Sequence, residues 1–223
     1  MNAPVAPGSC IMSPMADASD LNDDENWSGG FYELSIELGE RDDSRLEKAL
    51  LAVWRHASVQ GCFAPEYQFF SSSTPARLVG HNPVSLSLRS LEGLGHLRGV
   101  VKLPDERQIV CGTVAIREDD GPDWLDFYLP LGALGRTDPR VRGFPFGDDY
   151  GVATFPWRQP IDHWLADIGS RIHDEVPYRL GLIGCEVSGE VYADQLAAGV
   201  PDEHDIGYLV PLNGKLAYRE ANR

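Results

Sequence analysis

The sequence predicts an α+β fold, with mixed, largely antiparallel sheet structure, about three main helices, β-α-β units near both ends and a β-rich middle. Helical spacing of apolar residues occurs only toward the two ends of the chain, around residues 43–55 and 161–176. The middle third contains strand-like runs separated by turn residues. Segregation of strands from helices favours α+β over a doubly wound parallel sheet.

The first predicted unit is a β-α-β segment. Residues 30–38 alternate between two faces, which is typical of a strand with one buried and one exposed side. The buried side would be Tyr32, Leu34, Ile36 and Leu38, and the exposed side Phe31, Glu33, Ser35 and Glu37. Asp42 or Asp43 can cap a following helix. The apolar stripe of that helix is Leu46, Leu50, Val53 and Trp54. A short strand at residues 61–63 completes the unit.

The middle of the chain is predicted to be antiparallel β-structure. Residues 64–82 contain several serine, proline and glycine residues, so we expect a loop or a linker there. Strands are predicted over residues 84–88, 97–103, 109–117 and 124–129, and the second and third of these form a hairpin. Residues 132–150 have no regular pattern, which predicts an irregular surface loop.

The C-terminal third contains the clearest helix. It is bracketed by Pro160, expected in its first turn, and by Pro177, which ends it. Its apolar stripe is Ile161, Trp164, Leu165, Ile168, Ile172 and Val176, and its polar face is Asp162, Asp167, Ser170, Arg171 and Asp174. Residues 178–187 predict a strand covered on both sides, and Ser188 is expected to cap another helix. A terminal hairpin follows, over residues 206–212 and 216–219 around Asn213-Gly214.

These elements predict one α+β domain over residues 27–223, with an alternative division near residues 64–82. Residues 1–26 lack periodicity and predict a disordered acidic tail. The N-terminus has no secretory-signal pattern, and no apolar run approaches the ~18 to 20 residues of a membrane helix. We therefore expect a cytoplasmic protein without membrane contact. The sequence predicts no oligomeric state.

Net charge gives the strongest functional indication. The chain has 34 acidic and 19 basic residues, a formal charge of −15. Five of the acids and no base lie in residues 1–26, so the remainder carries −10 on its own. Such a field repels nucleic-acid backbones and attracts basic proteins. The sequence therefore excludes nucleic-acid binding and favours a basic protein partner.

No motif for catalysis, cofactor or metal is present. The chain has no glycine-rich phosphate loop and no paired histidine motif, and its four cysteines lack any C-x-x-C pair. The turn at Ser188 has Glu186 and Glu190 where a nucleophile elbow needs glycines. We therefore predict no catalytic residue, no metal ligand and no cofactor.

Five residues are candidates for binding. Glu186 ends a strand that is otherwise apolar on both faces, where a carboxylate is costly unless it is exposed or paired with a base such as Arg179 or Arg158. We expect Glu186 at the rim of a cleft. The other four candidates lie in the irregular loop, where aromatic anchors are flanked by acids: Phe144, Phe146, Asp148 and Asp149.

Two functional hypotheses follow from these residues. The first is a non-catalytic acidic binding protein that associates with a basic protein partner, of which an immunity or inhibitor protein would be one instance. The second is a small-molecule enzyme or ligand-binding domain with a site near Glu186, built with residues such as His163 and Tyr178. A deep pocket that converges on Glu186 would favour the second hypothesis.

Overall fold

The part of the chain that the structure describes folds around one nine-stranded sheet. The computed structural model describes residues 18–68, 77–119, 121–141, 154–212 and 215–223. The strands are β1 (Phe31–Gly39), β2 (Gln60–Gln68), β3 (Arg77–Pro83), β4 (His96–Lys102), β5 (Gln108–Arg117), β6 (Asp123–Pro130), β7 (Leu180–Cys185), β8 (Gly207–Leu212) and β9 (Lys215–Arg219). They lie in the order β3-β2-β4-β5-β6-β1-β7-β8-β9, and every pairing between described strands is antiparallel. The predicted α+β class is confirmed.

Two long helices pack on one face of this sheet. The helices are α1 (Ala18–Leu21), α2 (Asp43–His56), α3 (Leu88–Leu94), α4 (Leu131–Thr137) and α5 (Phe155–Glu175), with 3-10 turns at Asp24–Trp27, Pro139–Val141 and Ala193–Leu196. The apolar face of β1 lies in one core cluster with the predicted stripes of α2 and α5. We call this side of the sheet the helix face. The opposite side is the outer face.

The central strand β1 is buried on both faces. On the outer face, Glu33 is 3% exposed, and Ser35 and Glu37 are fully buried. A covering segment, residues 186–201, packs apolar side chains such as Val187 and Tyr192 over this face around Trp124. The prediction of a solvent-exposed polar face on β1 was therefore wrong, because a segment about 150 positions away in the sequence covers it.

The first predicted helix is confirmed, including its cap. The Asp42 side chain accepts a hydrogen bond of 3.0 Å from the backbone N–H of Arg45. The predicted order of strand, helix and strand is present, and three other strands separate β1 from β2 in the sheet. The polypeptide crosses the sheet with α2 and pairs β2 with β3 and β4.

Three predictions for the middle of the chain need correction. The expected linker at 64–82 contributes to an antiparallel hairpin, β2–β3, although residues 69–76 lie outside the described part. No strand forms at 84–88. The helix α3 begins at Leu88 instead, because Ser87 caps it and its own side chains Leu88 and Leu91 are buried. The expected loop at 132–150 contains α4, whose Leu134 is buried. The hairpin β4–β5 and the strand β6 are confirmed.

The C-terminal helix begins earlier than predicted. It starts at Phe155 with Pro156 in its first turn, so Pro160 lies inside it. The hydrogen bond that Pro160 cannot donate would go to the carbonyl of Pro156, which is an exposed residue near the helix start. Asp162, expected on the solvated face, is buried and accepts a hydrogen bond from Tyr32.

No α-helix follows β7 in the described residues. Turns and the 3-10 turn at Ala193–Leu196 occupy the region that Ser188 was expected to cap. The two-sided burial of β7 and the terminal hairpin β8–β9 are both as predicted, with residues 213–214 outside the described part. At the other end of the chain, residues 18–27 form α1 and a 3-10 turn in place of the expected tail. Leu21 anchors them, because it is 2% exposed in the core.

Candidate functional site

Polar side chains form two adjacent rows across the outer face. Strand register aligns Arg98, Gly112, Tyr128 and Glu33 in one row. The next row aligns His96, Val114, Asp126 and Ser35. Residues two apart on a strand share a face, so the polar members of both rows point to the same side of the sheet. No local sequence pattern indicates these rows, because they come from four different strands.

Glu33 and Asp126 form a buried carboxyl pair at the centre of the rows. Burial is the main cause that raises the pKa of Glu33 well above its usual range, and the nearby Asp126 raises it further. Burial also raises the pKa of Asp126 to about 6, although the hydrogen bond from the Ser35 hydroxyl opposes the shift. The Ser35 hydroxyl donates to Asp126 Oδ1 at 2.5 Å. The pair therefore favours a bound proton near neutral pH.

The carboxylates of Glu33 and Glu37 on β1 bind the backbone of the covering segment. Glu33 Oε1 accepts from the backbone N–H of Ser188 at 3.3 Å. Glu37 Oε2 accepts from the backbone N–H of Ala193 at 2.7 Å, and Arg179 lies 3.0 Å from its other oxygen. Backbone donors of this non-helical segment are thus satisfied by side chains of the sheet. These contacts explain why Glu33 and Glu37 are tolerated as buried acids.

Arg98 occupies the other end of the first row. Its guanidinium lies 3.7 Å from the ring centre of Trp27, and it bonds the Tyr67 hydroxyl at 2.8 Å and His81 Nε2 at 3.1 Å. No carboxylate of the described residues pairs with it, although it is only 6% exposed. The aromatic face and the neutral acceptors stabilise the charge instead. We assign Arg98 a packing role, since it lines neither the cavity between the β4–β5 turn, α4 and α5 nor the cleft beside the β8–β9 hairpin.

Glu186 lies at the exposed end of β7. Its backbone is left-handed, with φ of 51°, and its N–H donates to the carbonyl of Phe31 at 3.1 Å. The two bases suggested as partners are occupied elsewhere: Arg179 pairs with Glu37 and Arg158 with Asp162. Strand-end exposure is therefore the reason that this carboxylate is tolerated. Glu186 lines neither the cavity beside α5 nor the cleft beside the β8–β9 hairpin.

The remaining sequence candidates do not assemble around Glu186. His163 is exposed on α5, where its Nε2 lies 2.8 Å from Glu220. Tyr178 is buried on the helix face and donates to the carbonyl of Gly169 at 3.0 Å. The four loop candidates lie outside the described residues: Phe144, Phe146, Asp148 and Asp149.

The cavity beside α5 is mainly apolar. It has a volume of about 240 Å³ and lies between the β4–β5 turn, α4 and the start of α5. Leu134, Trp157 and Ile161 contribute to its walls. The charged groups at its edge are already paired with each other, Arg107 with Asp105 and Arg140 with Asp138. Among the described residues, its walls therefore present no free charged group with which to orient a ligand.

A second feature, not predicted from the sequence, is an acidic end of the sheet. The turn after β1, the β5–β6 connection, α3 and the covering segment meet there. We define the acidic end by its exposed carboxylates, Glu40, Asp42, Asp43, Glu92, Asp119 and Asp194. Shared contacts show that these elements are neighbours, because Arg117 pairs with both Asp43 and Glu92, and Tyr192 donates to Glu118 at 2.9 Å.

The nearby arginines do not cancel this charge. Arg117 is 10% exposed and is shared between Asp43, Glu92 and the buried Asp123. Arg179 lies between Glu37 and Asp194. Each of these two arginines is thus committed to more than one carboxylate. Arg41, exposed between Glu40 and Asp42, and Arg45 beside Asp42 offset part of the charge, but the carboxylates outnumber these four arginines, so the acidic end keeps an excess of negative charge. The acid-rich turns are visible in the sequence, but only the strand order brings them together.

We expect Asp126→Asn to stabilise the protein at pH 8 by about 2 kcal/mol. The folded carboxyl has a pKa of about 6 against 3.8 for a free aspartate, so folding takes up a proton between these values. Stability from this group is present below pH ~4 and is lost as the pH rises through about 6. Asparagine keeps the acceptor for Ser35 and removes the charge beside Glu33.

Urea denaturation from pH 3.5 to 8 measures this effect. The gain of Asp126→Asn over the unmodified protein should grow with pH through this window. Asp167→Asn, at an exposed position on α5, serves as the control and should leave the pH profile unchanged. A constant difference at every pH would contradict the raised pKa of Asp126.

Comparison of the chain with protein-family models, curated proteins and solved structures finds no match. Within the described ranges, no group of three or more His, Cys, Asp or Glu side chains could hold a metal ion. No described helix has both the length and the apolar character needed to cross a membrane. The function is therefore inferred from geometry and charge.

Proposed function

We propose that the protein is a non-catalytic binding protein whose acidic end receives a basic protein partner, in the manner of an immunity or inhibitor protein. One observation carries the proposal: six exposed carboxylates lie at one end of the sheet, while Arg117 and Arg179 beside them are already engaged in ion pairs. A surface of this kind is complementary to a lysine- or arginine-rich patch.

The charge of the whole chain supports the same partner class. A formal charge of −15 steers basic proteins toward the molecule at long range, and the acidic end supplies the local contact. Association of this kind weakens as salt screens the charges, over a distance of about 8 Å at physiological ionic strength. The test should therefore measure how the affinity for the basic partner depends on salt concentration.

The alternative, a ligand site around Glu186, has less support. Glu186, His163 and Tyr178 have separate partners in different parts of the fold. Carboxyl groups also occur at the centre of the outer face, but the covering segment uses Glu33 as a backbone acceptor and buries both Glu33 and Asp126.

Charge reversal at the acidic end tests the proposal. We expect the triple variant Glu40→Lys, Asp119→Lys and Asp194→Lys to weaken binding of the basic partner by about 10-fold or more. The tagged protein is first used at low salt to recover partners from an extract of its own cells, and the recovered protein is then purified. Titration calorimetry at several salt concentrations compares the two forms.

The matched control is Asp167→Lys, Asp174→Lys and Glu203→Lys, which changes the net charge equally at exposed positions away from the acidic end. It should retain most of the affinity. Equal losses in both triple variants would show that total charge, and not the acidic end, determines binding. Recovery of no salt-sensitive basic partner would also overturn the proposal.

A further inference from the structure

A cleft lies between the loop at residues 199–204 and the outer face of the β8–β9 hairpin. Its volume is about 500 Å³, within the range of roughly 300 to 1,000 Å³ that is common for small-molecule sites. Its apolar lining comes from Val200, Val210, Leu212 and Ala217. Leu212 is 52% exposed, so the cleft leaves a large apolar side chain open to solvent.

One side of the cleft carries a free cation. Arg219 of β9 lines the cleft, and no described carboxylate lies within ion-pair distance of it. Ten of the other basic side chains, Arg117 and Arg179 among them, form ion pairs with described acids, whereas Arg219 keeps its guanidinium available at the cleft. A guanidinium presents planar, paired donors that match a carboxylate.

The loop side of the cleft carries acceptors. Asp202 lines it, and so does His204, whose Nδ1 lies 2.8 Å from the carbonyl of Ile206. A carbonyl only accepts, so Nδ1 carries the proton, which leaves Nε2 as the ring nitrogen that can accept. Asn222 fixes this loop, because its side chain accepts from His204 N at 2.9 Å and donates to the carbonyl of Asp202 at 2.7 Å.

We propose that this cleft binds a small zwitterion with an apolar side chain, a free amino acid or a dipeptide. Its carboxylate would pair with Arg219, its ammonium would donate to Asp202 and His204, and its side chain would cover Leu212 and Ala217. The field of the protein supports a zwitterion over a simple anion, since −15 charges repel a ligand with net negative charge. The inference is independent of the acidic end and of any protein partner.

Calorimetric or NMR titration of the full chain tests the site with four probes. L-leucine and L-leucyl-L-leucine carry both charges, 4-methylpentanoate keeps only the carboxylate, and 3-methylbutylamine keeps only the ammonium. We expect saturable binding of at least one zwitterion, and binding about 10-fold weaker or more for each probe that lacks one charge. Comparison of the affinities for the two zwitterions shows whether the cleft prefers a free amino acid or a dipeptide.

Variants assign the contacts. Arg219→Gln should abolish the preference for the carboxylate, and Asp202→Asn the preference for the ammonium, while both keep the backbone contacts of the loop. Lys215→Gln on the same hairpin is the control and should bind as the unmodified protein does, since Lys215 does not line the cleft. The proposal is overturned if no zwitterion binds at ~10 mM, if a singly charged probe binds equally well, or if all three variants behave alike.

Discussion

Arg117→Met is expected to lower the free energy of unfolding by about 3 to 5 kcal/mol. Arg117 forms a two-point contact with Asp123, with its Nε 3.0 Å from Oδ1 and its Nη2 3.1 Å from Oδ2. It also reaches Asp43 of α2 at 2.7 Å and Glu92 of α3 at 2.5 Å. Asp123 is 2% exposed, so loss of the guanidinium leaves a buried carboxylate beside two other acids. Methionine keeps most of the aliphatic volume of arginine, so the lower free energy of unfolding measures the effect of the missing charge.

Urea denaturation at pH 7 measures this prediction. Arg171→Met removes an exposed i,i+4 pair with Asp167 on α5 and is expected to cost at most about 1 kcal/mol. A second substitution, Asp123→Asn in the Arg117→Met background, removes the stranded charge and should recover part of the loss. If Arg117→Met lowers the free energy of unfolding by no more than Arg171→Met does, the contacts of Arg117 do not stabilise the fold.

Local sequence patterns identified the elements whose signals lie within a few residues. Alternation along β1 separated the apolar face from the polar face, although it did not predict that both are buried, and Asp42 was recognised as a helix cap. The same patterns failed where the decisive partner is distant. From the sequence, Glu33 is predicted to be an exposed strand residue. In the structure, the covering segment places the N–H of Ser188 against its carboxylate. Asp162 similarly reads as part of a solvated helix face until β1 brings Tyr32 to it.

The acidic end illustrates the same limit for a candidate site. Each acid-rich turn is readable by itself, but the turn after β1 and the β5–β6 connection become neighbours only because β6 pairs with β1 in the antiparallel order. The net charge of −15 predicted the class of partner without predicting its place on the molecule. The location depends on strand order, which has no local signature.

Gly112→Ala is expected to destabilise the protein by about 3 kcal/mol, the upper part of the range for overpacked sites. A Cβ at this position would lie 2.3 Å from both Cζ and the hydroxyl oxygen of Tyr128, its neighbour in the row of the outer face. Tyr128 is fully buried, and its hydroxyl lies 3.0 Å from His96 Nδ1. The ring therefore has no free space into which to move, so the added methyl displaces the strands β5 and β6.

Chemical denaturation of Gly112→Ala is compared with that of Gly93→Ala, an exposed position of α3 where a Cβ meets nothing within 4 Å. Gly93→Ala should stabilise by about 0.5 to 1 kcal/mol, because alanine loses less conformational freedom in a helix than glycine. In the double variant Gly112→Ala, Tyr128→Leu, the smaller side chain makes room for the methyl. The losses of stability measured for Gly112→Ala and Tyr128→Leu separately should then add up to more than the loss measured for the double variant, by about 1 kcal/mol or more. Additive losses would mean that the clash with Tyr128 does not determine why glycine occupies this position.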